Sequence, residues 1–157
     1  MKINRKWAMP NRYTFQIKPI KELLNNHMQG NSCDPFADKN LIATVNNRIQ
    51  DSGVCALEFL KKQKSDSFDV VLYDPPYSIT QARKYGHKKF SSMKYWANVK
   101  NEMRRVIKPG GKAICFGWCS MGLGKNRGFK IIEILLVPHG GSKNDTICTV
   151  ELKEPNQ

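Results

Sequence analysis

The stretch Phe68-Asp69-Val70-Val71-Leu72-Tyr73-Asp74-Pro75-Pro76-Tyr77 decides how the chain reads. Its first six residues are a near-continuous apolar run, the pattern of a strand covered on both faces. Pro75 and Pro76 end the run, because proline lacks an N–H and fixes φ. A carboxylate and a phenol, Asp74 and Tyr77, therefore stand just beyond the end of a buried strand.

Working outward, residues 55–62 predict a short helix with Ala56, Phe59 and Leu60 on one side. Residues 41–45 read as a strand. Residues 18–28 carry Ile20, Leu23, Leu24 and Met28 at helical spacing, with Pro19 suited to the first turn. On the other side, residues 78–93 read as a connecting loop. Residues 94–107 then place Tyr95, Trp96, Val99, Met103, Val106 and Ile107 on one helical stripe. Pro109-Gly110-Gly111 is expected to stop that helix. Residues 113–116 are the next strand, and residues 129–137 and 146–152 are two more, joined by residues 138–145. Alternation of strand and helix, closing on two successive strands, predicts an α/β fold. The sheet should be open and mostly parallel with helices on both faces, with a C-terminal antiparallel hairpin on one edge. In such sheets ligands sit at the carboxyl ends of the strands, near the switch point. That rule points to residues 33–36 and 74–77.

The 157 residues fit a single domain with one core, with residues 1–12 as a basic N-terminal arm. No apolar run reaches the ~18 residues of a spanning helix, so no membrane partner is expected. The start of the chain does not read as a secretory signal. Five cysteines at wide, irregular spacing (33, 55, 115, 119 and 148) form neither a disulfide framework nor a zinc site, and no metal is expected. Reduced thiols in a cytoplasmic protein are the simplest reading. Charge is the strongest compositional feature, with 26 Lys and Arg against 13 Asp and Glu, formally +13. Residues 1–21, 78–101 and 103–132 contain no acid. Such a field attracts polyanions. Arg83, Lys84, Lys88 and Lys89, beside Tyr85 and Phe90, and the later Lys125 and Arg127 in a Gly-rich stretch, are the candidate phosphate contacts. The latter stretch lacks P-loop spacing. Trp96 and Trp118 read as core or pocket wall, and His139 as a turn residue.

Asp74 to Tyr77 suits chemistry at an aryl amine. Such a nitrogen is a poor nucleophile because its lone pair is delocalised into the ring. Asp74 accepting one N–H and the Pro75 carbonyl accepting the other favour a pyramidal nitrogen with a directed lone pair, Pro76 holds that backbone rigid, and Tyr77 can stack on an extruded base. Rate would come from positioning and charge complementarity.

Asp-Pro-Pro-Tyr after an apolar strand resembles the signature of the amino-methyltransferases that modify N6 of adenine or N4 of cytosine in DNA. Asp34-Pro35-Phe36-Ala37 resembles that family's cofactor turn, and the segment from Phe15 through Lys18 to Ile20 the stretch that covers the methionine part of the cofactor. Residues 105–111 resemble the helix-to-strand junction of class I methyltransferases. Phe116-Gly117-Trp118 and the tail resemble small phage and bacterial DNA adenine methylase-like proteins. The resemblance spans roughly residues 13–153. It implies a Rossmann-like class I methyltransferase fold. It also implies S-adenosyl-L-methionine as cofactor, and methylation of a base amino group in DNA, adenine N6 first, in a bacterial or phage-infected cell. It maps Asn46 and Asn47 onto the acid that usually meets the ribose hydroxyls, and Cys55, before Ala56, onto a further acid. Asp38-Lys39-Asn40 stands where glycines are usual. An RNA adenine methyltransferase and a methyltransferase-like nucleic-acid-binding subunit of weak or no activity are the alternatives. The missing acids favour the latter and Asp74 favours a base substrate. With no separate target-recognition domain expected, sequence specificity would come from loops, a homodimer or a second subunit.

Overall fold

The computed structural model describes residues 1–84, 86, 92–141 and 143–155. Seven strands form one sheet in the order β1-β6-β7-β5-β4-β2-β3. The strands are β1 (Lys2–Arg5), β2 (Ser32–Asp34), β3 (Val45–Asn46), β4 (Phe68–Tyr73), β5 (Ile107–Gly117), β6 (Phe129–Val137) and β7 (Thr146–Lys153). The helices are α1 (Lys18–His27), α2 (Ile49–Ser52), α3 (Ala56–Lys61), α4 (Ile79–Lys84) and α5 (Met93–Val106). Four neighbouring pairs are parallel. Only β7, inserted between β5 and β6, runs antiparallel to its neighbours.

The central strand owes its position to its composition. In β4, Phe68, Val71 and Tyr73 join one core layer with Tyr95, Val99, Met103 and Val106 of α5 and Leu57 and Leu60 of α3. Val70 and Leu72 join the opposite layer, with Ile20, Leu23 and Leu24 of α1 and with Leu135, Cys148 and Val150. Strict alternation would put Phe68 on the side of Val70. A register shift against β5 between Phe68 and Val70 breaks that parity, so Phe68 faces α5. Helix α5 is anchored at its start by the Ser92 hydroxyl, which accepts from the Tyr95 N–H at 3.2 Å. At its far end Arg105 donates to Glu102, to the carbonyls of Gln63 and Leu60, and to the Ser65 hydroxyl, tying α5 to the end of α3.

Four expectations are revised. The hairpin β6–β7 forms, but it does not make the edge. The basic arm does, because Lys2–Arg5 pairs in parallel with residues 133–136 of β6. Asn4 donates to Glu133 at 2.8 Å, His27 of α1 approaches the same carboxylate at 2.9 Å and Lys2 lies at 3.6 Å. Burial opposes ionisation of Glu133, yet these partners hold its carboxyl below the usual range. Residues 41–45 yield only the two-residue β3. Before it, side chains replace the ladder, with the Ser32 N–H donating to the Thr44 hydroxyl and the Thr44 N–H to the Ser32 hydroxyl. Pro109-Gly110-Gly111 lies inside β5 instead of stopping α5, which ends at Val106. A Cβ on Gly111 would lie 2.9 Å from the Asp69 carbonyl, so the strands approach closely there only because the residue is glycine. Finally, residues 79–84 are helical and not loop.

Candidate functional site

The chain passes from β2 outward to β3 and then returns to β4 on the other side of β2. That reversal is a topological switch point, where the carboxyl ends of the strands leave a crevice. Asp34 is the last residue of β2, Asn46 the last of β3, and Asp74 directly follows β4. An open cleft, continuous with solvent, lies there. Its wall brings together Phe15, Phe36, Ala37, Asn47, Asp74, Pro75, Pro76 and Tyr77, all of them candidates from the sequence.

Two carboxyls define its electrostatics. Asp34 is 1% exposed. One oxygen accepts the Phe36 N–H at 3.0 Å, and the other is buried with no hydrogen-bond partner among the described residues. Burial pushes its pKa up to about 7, against the Phe36 N–H, and the charge of nearby Asp74 adds to the rise. Burial likewise raises Asp74 to about 6, opposed by the hydroxyls of Tyr77 and Thr14. The Tyr77 hydroxyl donates to Asp74 Oδ1, and the Tyr77 N–H donates to Gln81 Oε1 at 2.8 Å. The Tyr77 ring lies against Trp118, centroids 5.6 Å apart and planes inclined by 42°. Phe36 packs edge-on against Tyr73, at 5.7 Å.

The remaining sequence candidates are placed as follows. Pro35 is buried behind the cleft, and its carbonyl accepts from Asn47. Asn47 lines the cleft, but its amide donates to the Pro35 and Val54 carbonyls, while its oxygen accepts from Ser52. That side chain braces the β3–α2 turn. Asn46 donates to the Ala43 carbonyl at 2.6 Å, and its buried oxygen has no partner among the described residues. Cys55 directly precedes α3 without a side-chain capping bond and packs against the core, Ala56 is fully buried in that helix, and neither lines the cleft. Lys18 is exposed in the first turn of α1, also off the cleft. Arg83 and Lys84 are exposed at the end of α4, two and three residues past Gln81 of the cleft wall. Lys88, Lys89, Tyr85 and Phe90 lie outside the described residues.

Lys125 and Arg127 are not beside Asp74. They immediately precede β6, whose first residue pairs with Lys153, the last of β7, so they sit at the opposite end of the sheet. Arg127 is committed there, donating to Asn101 at 2.8 Å and to the Leu123 carbonyl at 3.0 Å. His139 is more than a turn residue: its ring bridges the Ala8 carbonyl and the Thr146 hydroxyl, each at 2.8 Å, and so clamps the arm to the hairpin loop.

Sequence reasoning missed Arg12, Tyr13 and Thr14, which line the cleft as the arm crosses to α1, and Gln81. Arg12 stacks over the Tyr13 ring at 5.6 Å. The only signal in the sequence was the acid-free arm itself. Among the described residues no cluster of His, Cys, Asp or Glu could hold a metal ion, and no helix is long and apolar enough to cross a membrane.

No protein-family model matches the chain, and no curated protein sequence does. The likeness to known proteins is structural. TrmN from Thermus thermophilus superposes with a TM-score of 0.58 at 15% identity over 90% of this chain. The chain spans only 50% of TrmN's own length. The N-methyltransferase NodS from Bradyrhizobium japonicum, in complex with S-adenosyl-L-homocysteine, gives 0.51 at 10% identity over 98% of this chain and 79% of NodS. HI0767 from Haemophilus influenzae gives 0.51 at 14% identity, over 88% of this chain and 98% of that one. With the strand order above, these likenesses define the Rossmann-like fold of class I methyltransferases.

Proposed function

We propose that this chain transfers a methyl group from S-adenosyl-L-methionine to the exocyclic amino group of a nucleic-acid base, adenine N6 in DNA being the first candidate. The observation that carries the reading is the convergence on one cleft, at the switch point, of Asp74-Pro75-Pro76-Tyr77 with Phe36 and Ala37, whose turn is held by the buried Asp34. NodS, of the same fold, was crystallised with the demethylated cofactor.

The residues present fit that cofactor. It carries positive charge, and the cleft wall offers the carboxyls of Asp74 and Asp38, with Asp34 buried close to Asp74; a cation there would favour ionisation of Asp74 and Asp34. One buried oxygen of Asp34 has no hydrogen-bond partner among the described residues, which leaves an acceptor beside the turn of Phe36 and Ala37. Phe15, Phe36 and Ala37 supply apolar wall. Because Asn47 is satisfied by protein atoms, we assign hydroxyl recognition at that end of the cleft to Asp38, Asn40 and Gln50, which line it. When bound, the cofactor supplies an electrophilic methyl on its sulfonium sulfur.

The chain's own part is to prepare the nitrogen. Asp74 accepts one amino N–H and the Pro75 carbonyl the other, localising the lone pair. After transfer, the nitrogen sheds its surplus proton to Asp74, whose pKa near 6 suits taking it up and passing it to solvent. Arg83 and Lys84, exposed at the end of α4 just past Gln81 of the cleft wall, are the proposed phosphate contacts among the described residues. Titration calorimetry with S-adenosyl-L-homocysteine tests the cofactor site. Micromolar to sub-millimolar binding, roughly 5–8 kcal/mol, is expected. Absence of heat across that range would leave a nucleic-acid-binding subunit as the better reading.

A further inference from the structure

The Tyr77 side chain occupies a place whose chemistry is unusual for a tyrosine. Its hydroxyl donates to the carboxylate that the reaction needs free, and its ring lies on Trp118. Trp118 is 52% exposed, although it is among the largest apolar side chains of the protein. It directly follows the end of β5, so it stands at the same end of the sheet as Asp74. Tyr77 thus presents a six-membered ring, one donor directly attached to that ring and aimed at Asp74, and a ring face against Trp118. An aminated heteroaromatic ring has the same three features.

We infer that Asp74 and Trp118 form the two walls of the substrate's ring subsite, and that Tyr77 fills this subsite itself until a ring bearing an exocyclic N–H displaces it. The inference rests on the function proposed above and deepens it. It assigns Trp118 as a positioning residue, and it limits the substrate to a planar ring presented singly, outside a base stack. Once displaced, Tyr77 is free to cover the ring's other face. The loop beginning at Trp118 is held for the task. Glu151, 1% exposed, accepts the N–H groups of Leu123 and Gly124 at 2.5 and 3.1 Å, and Lys100 donates to the Gly122 carbonyl at 2.7 Å.

Two variants act in opposite directions. Tyr77→Phe keeps the ring but removes the donor that competes for Asp74. Trp118→Ala removes a wall at an exposed position, where truncation threatens the fold least. The probes are fluorescein-labelled single-stranded oligothymidylates, with and without one central adenine, read by anisotropy near pH 8 with S-adenosyl-L-homocysteine present. Thymine has no exocyclic amine, so the adenine preference isolates the subsite from backbone contacts. Tyr77→Phe should raise that preference roughly tenfold, the worth of a hydrogen bond to a charged group. Trp118→Ala should lower it roughly 5- to 100-fold, with Trp118→Phe recovering most of the loss. An adenine preference unmoved by either variant, in proteins that still bind S-adenosyl-L-homocysteine, overturns the subsite and leaves the proposed function standing. A wild-type protein that binds no S-adenosyl-L-homocysteine overturns both.

Discussion

Glu151→Ala is the perturbation whose size the structure fixes best. Glu151 lies in β7, a strand paired on both sides, and is 1% exposed. Its two oxygens receive the Leu123 and Gly124 N–H groups, and the Cys115 thiol lies 3.9 Å away. Truncation removes two hydrogen bonds to a charged group, each worth about 1.5–3 kcal/mol, and leaves a buried Leu123 N–H without a partner. Relief of carboxylate desolvation offsets part of that loss. A net cost of about 3–4 kcal/mol follows, a large share of the 5–15 kcal/mol typical of a domain. Urea unfolding followed by circular dichroism gives the difference from the midpoints at constant slope. Gly122→Ala supplies the cross-check, because a Cβ there would sit inside the Glu151 carboxylate. Its cost should be of the same order in wild type and should shrink in the Glu151→Ala background, as expected of neighbours that share one cause. A Glu151→Ala loss below about 1 kcal/mol, or additive costs in the double variant, would refute the claim that this carboxylate holds the loop.

Three further outcomes are expected. Asp34 and Asp74 have folded pKa values of about 7 and 6, raised above an unfolded value of about 3.9. Their contribution to stability is therefore fully present below pH ~4 and is lost as pH rises through ~7. In Asp34→Asn the urea midpoint should fall less between pH 5 and pH 8 than in wild type, and a parallel fall would contradict the assignment. Arg105→Lys, which cannot reach Glu102, Gln63, Ser65 and Leu60 together, should cost about 2–3 kcal/mol in thermal or urea unfolding. His139→Ala should loosen the arm at Ala8 from the hairpin loop, seen as faster proteolytic cleavage between β1 and α1 with the core intact. Unchanged cleavage would mean that the clamp does not hold the arm.

What was legible in the sequence follows from where the determinants lie. The β4 run, the helical stripes of α1 and α5 and the turn of Asp74 to Tyr77 are local patterns, and the structure reproduces them. The edge strand is not local: Lys2–Arg5 is basic and alternates weakly, and it becomes a strand only by pairing with β6. Pro109-Gly110-Gly111 reads as a helix stop, yet glycine there serves a close approach of strands. The buried charges of Glu151 and Lys153 were hidden for a related reason. Their partners, the Leu123 and Gly124 amides in one case and the Ile107 and Arg104 carbonyls in the other, are distant in the chain. At the site, the resemblance could name Asn47 but not its partners: its polar atoms close on backbone carbonyls and on Ser52, contacts that only the folded β3–α2 turn brings together. Lys125 and Arg127 read as phosphate contacts from a basic, glycine-rich stretch, but composition could not show that they stand at the end of the sheet away from Asp74.

The most direct test of the account is transfer of a labelled methyl group from S-adenosyl-L-methionine to adenine-containing DNA and RNA oligonucleotides, with the product nucleoside identified after digestion. Wild type should yield N6-methylated adenine, and Asp74→Ala, folded and still able to bind S-adenosyl-L-homocysteine, should lose the activity by at least two orders of magnitude, the scale of a single preorganised contact to the reacting group. Transfer by Asp74→Ala near the wild-type rate, or a wild-type protein that binds the cofactor yet methylates no base amine, would contradict it.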